Sequence, residues 1–123
     1  MKSLTVVLLQ GDARVAQSLA SALSQNFSSV QQVQSLGELR KRIVKNRAEV
    51  AILDLEAASL SEVEHLAQDF SGVCIVCTHR VADEEMWAQA LQAGAADVCP
   101  VDDIQGIVRA ALGNAGKQHL AAA

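Results

Sequence analysis

Ala48-Glu49-Val50-Ala51-Ile52-Leu53-Asp54-Leu55 is a short apolar run, β-branched at Val50 and Ile52, that ends in one acid and then breaks. A strand buried on both faces of a parallel sheet reads this way. Its last residue then stands at the carboxyl edge of the sheet, where open α/β folds bind ligands and carry out chemistry. Taken alone, Asp54 is equally well a cap or turn acid just past a strand. The segments on either side decide between the two.

Upstream, Ser35-Leu36-Gly37-Glu38 fits a capping box, and Leu36, Leu39, Ile43 and Val44 give the following helix a buried side. Before it, Val30 to Gln34 alternates weakly, as an edge strand does. Asp12 is a candidate N-cap for a helix with Val15, Leu19, Ala22 and Leu23 in one apolar stripe, and Leu4 to Leu9 reads as another buried strand. Downstream, Ser61-Glu62-Val63-Glu64 reads as a second capping box, opening a helix through Phe70. Val73 to Thr78 is a buried strand that ends in a hydroxyl. Ala82-Asp83-Glu84-Glu85 opens a helix acid-first, as the helix dipole favours. Its buried stripe is drawn through Ala88, Ala90, Leu91 and Gly94, with Trp87 at the margin and Gly94 as the C′ residue. Ala95 to Cys99 is a short strand halted by Pro100. Asp102 or Asp103 caps a last helix with Ile104, Ile107, Val108 and Leu112 inward, and Gly113-Asn114-Ala115-Gly116 stops it.

Residues 1–114 thus read as one domain and 115–123 as a tail or the start of a linker. Strand and helix alternate five times, which predicts a doubly wound α/β domain on a five-stranded parallel sheet. Right-handed crossovers with one topological switch point bring the ends of the first, third and fourth strands together.

A net charge of -4 disfavours a nucleic-acid surface. The basic cluster of Arg40, Lys41, Arg42, Lys45 and Arg47 falls on one helix and reads as a solvated face. No apolar run is long enough to span a membrane. Three cysteines, an odd count without a preceding signal peptide, point to a reducing, cytoplasmic compartment. Cys74 and Cys77 have C-x-x-C spacing, but residues three apart on a strand face opposite ways, so both read as core cysteines, and Cys99 likewise. His79 beside Thr78 is a loop histidine near the sheet edge, and His65 and His119 read as surface residues. No Ser/His/Asp or Cys/His nucleophilic set assembles, so an enzyme is not expected.

The strand ends collect Gln10, Gly11 and Asp12, then Asp54, then Thr78, then Pro100 and Val101. Their order and spacing are similar to those of the response-regulator receiver domain of two-component signalling. The most specific pieces are Ala51-Ile52-Leu53-Asp54-Leu55, Ile75-Val76-Cys77-Thr78 and Ala90-Leu91-Gln92-Ala93-Gly94-Ala95-Ala96-Asp97, and the resemblance covers nearly the whole chain. It implies the flavodoxin-like strand order 2-1-3-4-5. In that family the third-strand Asp is phosphorylated and two acids after the first strand hold Mg²⁺. A Thr or Ser after the fourth strand and a Lys after the fifth bind the phosphoryl oxygens. The resemblance therefore implies Asp54 as the candidate phosphoacceptor, Thr78 as the switch hydroxyl, and Asp12 with Asp54 as what is left of the metal site. It also implies a partner or homodimer face on the fourth helix, fifth strand and fifth helix, with Val98 in place of the switching aromatic. Trp87, in that region, reads equally as an exposed interface anchor and as a cover for the edge of the core.

The chain departs from that pattern where charge is needed. The acid pair falls on Gln10 and Gly11, the Lys on Val101, and the Pro after it on Asp102. Mg²⁺ is a hard cation that wants carboxylate oxygens, and phosphoryl transfer rests on positioning and charge neutralisation. The expectation is a degenerate, pseudo-receiver signalling module that works by protein-protein interaction, with an effector domain, a partner or itself. Phosphorylation of Asp54 is then impaired, Mg²⁺ binding weak, and no other cofactor implied. Two alternatives stay open: a conventional Mg²⁺-dependent phosphoacceptor in which Asp12 replaces the acid pair, and a small-molecule or nucleotide binder using the same edge pocket.

Overall fold

The computed structural model describes residues 4–122, with side chains through Gly113. Strands and helices alternate as β1 Thr5–Leu9, α1 Ala13–Leu23, β2 Ser29–Val33, α2 Leu36–Asn46, β3 Val50–Asp54, α3 Leu60–Asp69, β4 Cys74–His79, α4 Glu84–Ala93, β5 Asp97–Pro100 and α5 Ile104–Ala122. Every pairing is parallel, and the strand order is β2-β1-β3-β4-β5. The doubly wound α/β fold and its order are therefore those expected.

Period-two alternation sorts the strand residues into two cores. Val6, Leu8, Val50, Ile52, Cys74, Val76 and Cys99 face the layer of α1 and α5. Val7, Leu9, Ala51, Leu53, Ile75, Cys77 and Val98 face α2, α3 and α4. A strand buried on both sides needs apolar residues throughout its interior, and this is why β1, β3 and β4 are apolar apart from Thr5 at the start of β1, Asp54 at the end of β3 and Thr78-His79 at the end of β4. Cys74 and Cys77 lie in opposite layers, all three cysteines are free and buried, and burial pushes the Cys74 and Cys77 thiols up to about 12.

That shift has a sign. The folded chain keeps these thiol protons to about 12, whereas the unfolded chain releases them near 9.0. The native state then holds more protons, so stability is intact below pH 9 and falls as pH rises through that window. Urea midpoints measured from pH 8 to pH 11 should decline, and a Cys74→Ala/Cys77→Ala variant should decline less. Equal slopes in the two proteins would assign the loss to other groups.

The helix termini carry the capping acids and hydroxyls that the sequence promises, with one displaced. Asp12 Oδ1 accepts from the Arg14 and Val15 amides, and Asp83 Oδ1 accepts from the Met86 amide. Asp103, not Asp102, caps α5 through the Gly106 amide. Ser35 caps α2, but Glu38 reaches back to the Gln34 amide. The full capping box of α3 is Ser59 with Glu62, two residues earlier than expected, because Ser59 sits three residues before that glutamate. Gly94 ends α4 at φ 111.

The helix faces differ more. In α1 the buried stripe is Ala16, Leu19, Ala20 and Leu23, with Val15 and Ala22 only half-buried. In α4 only Ala90 is buried, Met86 and Ala93 pack beside it, and Ala88 and Gly94 are exposed. Val44 and Leu112 are exposed at 68% and 45%. Val44 lies about 100° around α2 from Ile43, and the sheet covers only the Leu39–Ile43 side. The last helix carries through Gly113-Asn114-Ala115-Gly116 to Ala122. Two glycines weaken a helix by about 1 kcal/mol each, but Ala, Lys, Gln and Leu around them favour it. Residues 1–3 and 123, and the side chains of the expected tail including His119, lie outside the described residues.

Candidate functional site at the carboxyl edge

Gln10, Asp54, Thr78 and Val101 each stand two residues beyond a strand residue that faces α1 and α5, namely Leu8, Ile52, Val76 and Cys99. Alternation therefore aims all four at the same side of the sheet. The switch point between β1 and β3 opens a crevice there, as the rule for open sheets requires. A cavity of about 370 Å³ occupies it, walled by Gln10, Gly11, Asp12, Asp54, Arg80 and Val101.

Asp54 is 2% exposed and Thr78 fully buried. They are register partners across β3 and β4, and Thr78 Oγ1 donates to Asp54 Oδ2 at 2.9 Å. Gln10 Nε2 donates to the same oxygen at 3.2 Å, and the Glu56 amide donates to Oδ1 at 2.9 Å. A buried acid must be satisfied by donors, and here the chain supplies all of them. Gln10 Oε1 in turn accepts the Asp12 amide at 3.2 Å. Gln10 thus turns an N–H, not an oxygen, towards Asp54.

This donor set does not fit Mg²⁺, which takes near-octahedral oxygen ligands. Gly11 has no side chain, the Gln10 carbonyl is engaged, and Asp12 Oδ1 caps α1. No group of three or more His, Cys, Asp or Glu among the described residues is placed to hold a metal.

Two residues of the site were not picked out in the sequence. Arg80 binds Glu56 bidentately through one edge of its guanidinium, Nε to Oε1 at 2.9 Å and Nη2 to Oε2 at 2.8 Å, across the mouth of the cavity. The hydrogen bonds and charge of Glu56 raise the Arg80 pKa above its usual value. The register explains the pair: Asp54 lies opposite Thr78, so residues two further on, Glu56 and Arg80, emerge side by side, and the sequence alone does not give that register. His79 is not part of the cavity. It ends β4, and its Nδ1 accepts the Val81 amide at 3.0 Å in the turn that follows.

On the α4–β5–α5 side, Trp87 is 47% exposed and its indole N–H donates to Asp97 Oδ1 at 3.0 Å. The ring is thereby tied from α4 to the start of β5. Val98 is 7% exposed and packs in the α2–α4 core, so it lies beneath this face and not on it. The β5 side chain that meets Trp87 is Asp97, half-buried at the start of the strand.

No family model and no curated protein sequence matches the chain. Solved structures do match. The N-terminal signal receiver domain of a two-component response regulator from Bacteroides fragilis superposes with a TM-score of 0.82 at 20% identity, covering 93% of this chain and 98% of that one.

The chain has the receiver-domain fold.

A CheY-like receiver domain protein from Methanospirillum hungatei also has this fold, with a TM-score of 0.77 at 15% identity over 96% of this chain and 98% of its own. So does an atypical orphan response regulator with a phosphorylation-independent regulatory mechanism, with a TM-score of 0.77 at 15% identity over 91% and 95%. At the carboxyl edge of this fold Asp54 and Thr78 stand together, with Gln10, Gly11 and Val101 around the crevice.

The three donors around Asp54 predict the outcome of two substitutions. Asp54→Asn keeps one acceptor and leaves neighbours that can reorient, so its loss of stability should stay within about 1 kcal/mol. Asp54→Leu strands three donors and should lose about 3 kcal/mol. Urea unfolding of both variants measures this, and equal losses would mean that the hydrogen bonds are not what holds Asp54.

Proposed function

We propose that this receiver-fold domain is a non-catalytic signalling module that acts by binding protein, with phosphoryl acceptance at Asp54 impaired. The observation that carries the reading is Gln10: its amide N–H sits on Asp54 Oδ2 where a carboxylate would support a metal. With Val101 in place of the Lys, neither cation that neutralises a transferring phosphoryl group has a holder. Phosphorylation-independent regulation in an atypical orphan response regulator of the same fold supports the reading by analogy. Among the described residues no helix is long and apolar enough to cross a membrane.

Incubation with acetyl phosphate and Mg²⁺, followed by intact mass, tests it. The expected spectrum is that of the unmodified chain. A one-phosphoryl adduct that disappears in Asp54→Asn overturns the reading. That outcome would favour the conventional phosphoacceptor, for which Arg80 is the available cation. Arg80 would then have to leave Glu56, and Arg80→Ala should abolish the adduct.

The binding face we assign to α4, β5 and α5, for an effector domain, a partner or a second copy, has Trp87 as its fixed aromatic. An exposed, immobilised Trp contributes about 2 kcal/mol or more to such an interface. Self-association measured by analytical ultracentrifugation should therefore weaken in Trp87→Ala. Unchanged association in a folded variant would move the face elsewhere.

A further inference from the structure

Half of the chain's ten Lys and Arg residues, Arg40, Lys41, Arg42, Lys45 and Arg47, stand on α2 and its C-cap, in a chain of net charge -4. A purely solvated face would carry polar residues throughout. Here Val44 is set among the cations and is 68% exposed. It opens onto a shallow groove of about 540 Å³ lined by Arg40, Lys41, Val44, Lys45 and Phe70. Arg40 is held rigidly at its edge, with Nη1 on Asp69 Oδ2 at 2.7 Å and its guanidinium over the Phe70 ring at 5.8 Å. Lys41 and Lys45 are exposed and make no ion pair among the described residues. An apolar floor therefore lies between unneutralised cations, remote from the carboxyl-edge cavity and from the α4–β5–α5 face.

We infer that the α2–α3 groove of Val44 and Phe70 is a docking site for an acidic segment of a partner protein that carries one large apolar anchor. The anchor covers Val44 and the open part of Phe70, and carboxylates on either side meet Lys41 and Lys45. The apolar floor distinguishes this occupant from a nucleic-acid backbone, which would need cations and hydrogen-bond donors throughout the contact. Charge complementarity speeds encounter and sets specificity, while the apolar contact supplies residence time. The inference does not depend on whether Asp54 accepts phosphate, and its test reads a different surface.

The test is peptide phage display against the intact chain, with selected peptides synthesised and titrated by fluorescence anisotropy. The expected sequences have Asp and Glu flanking a Leu, Phe or Trp. Their affinity should fall about ten-fold or more in Val44→Glu and in Lys41→Glu/Lys45→Glu, and should weaken as salt is raised. All three residues are exposed, and circular dichroism verifies that the variants are folded. The inference is overturned if no peptide is selected, if selected peptides lack acids, or if they bind the variants as well as the parent. Tighter, Val44-dependent binding of phosphatidylglycerol vesicles or duplex DNA overturns it in favour of those ligands. Self-association lost in the same variants overturns it in favour of a second copy.

Discussion

A Gln10→Asp/Gly11→Asp/Val101→Lys variant should take up one phosphoryl group from acetyl phosphate in the presence of Mg²⁺, under conditions that leave the parent chain unmodified. The first substitution removes the Gln10 N–H from Asp54 Oδ2 and puts a carboxylate in its place. The second adds another acid, and there is room for it: a Cβ at Gly11 would meet only Ala57 Cβ, at 4.0 Å. The third places an ammonium on the cavity wall that Val101 now lines. Together they return the hard oxygen ligands that Mg²⁺ needs and a fixed cation for the phosphoryl oxygens. Preorganised charges of this kind are each worth about a hundred-fold in rate or more, so the gain should be visible by intact mass within minutes to hours. Adding Asp54→Asn should abolish it. If the triple variant stays unmodified with Mg²⁺ bound, the barrier lies elsewhere, and the Glu56–Arg80 pair across the cavity mouth is the first place to look.

The second large effect is structural and sits where the end of α4 meets Ala67 of α3. Gly94 ends α4 at φ 111 and donates to the Ala90 and Leu91 carbonyls. A Cβ built there would stand 2.5 Å from Ala67 Cβ on α3. Gly94→Ala therefore meets two independent penalties, left-handed backbone strain and overlap with a neighbouring helix, and should lose about 3 kcal/mol. Urea denaturation of Gly94→Ala in the parent and in an Ala67→Gly background separates them. Removing the Ala67 methyl should relieve the overlap and leave about 1 kcal/mol of strain. A Gly94→Ala loss that is the same in both backgrounds would show that the helices move apart easily and that φ alone decides.

How much of this was legible in the chain follows from the period of each element. The strands were legible because a residue pair alternates with an exact period of two and both faces are buried, so β1, β3 and β4 had to be continuous apolar runs. Asp54 and Thr78 interrupt such runs at their carboxyl ends, which placed both at the crevice. Asp12, Ser35, Asp83 and Gly94 were legible because caps are local chemistry.

The tertiary structure decided what depends on contacts between segments far apart in the chain. Helix roll is one such property: each helix offers neighbouring apolar positions about 100° apart, and the layer beneath took Ala16 and Ala20 over Val15 in α1, Leu39 and Ile43 over Val44 in α2, and Ala90 over Ala88 in α4. Orientation across the sheet is another: Val98 faces the core because alternation within β5 turns it there, beneath the surface for which it had been a candidate. The last is the chemistry around Asp54. A sequence names Gln10 as a missing acid, but only the folded edge brings its amide onto Asp54 Oδ2 and sets Arg80 against Glu56. Hydrogen bonds between side chains 24 and 44 residues apart have no local signature; they exist only once the parallel register has laid β1, β3 and β4 side by side.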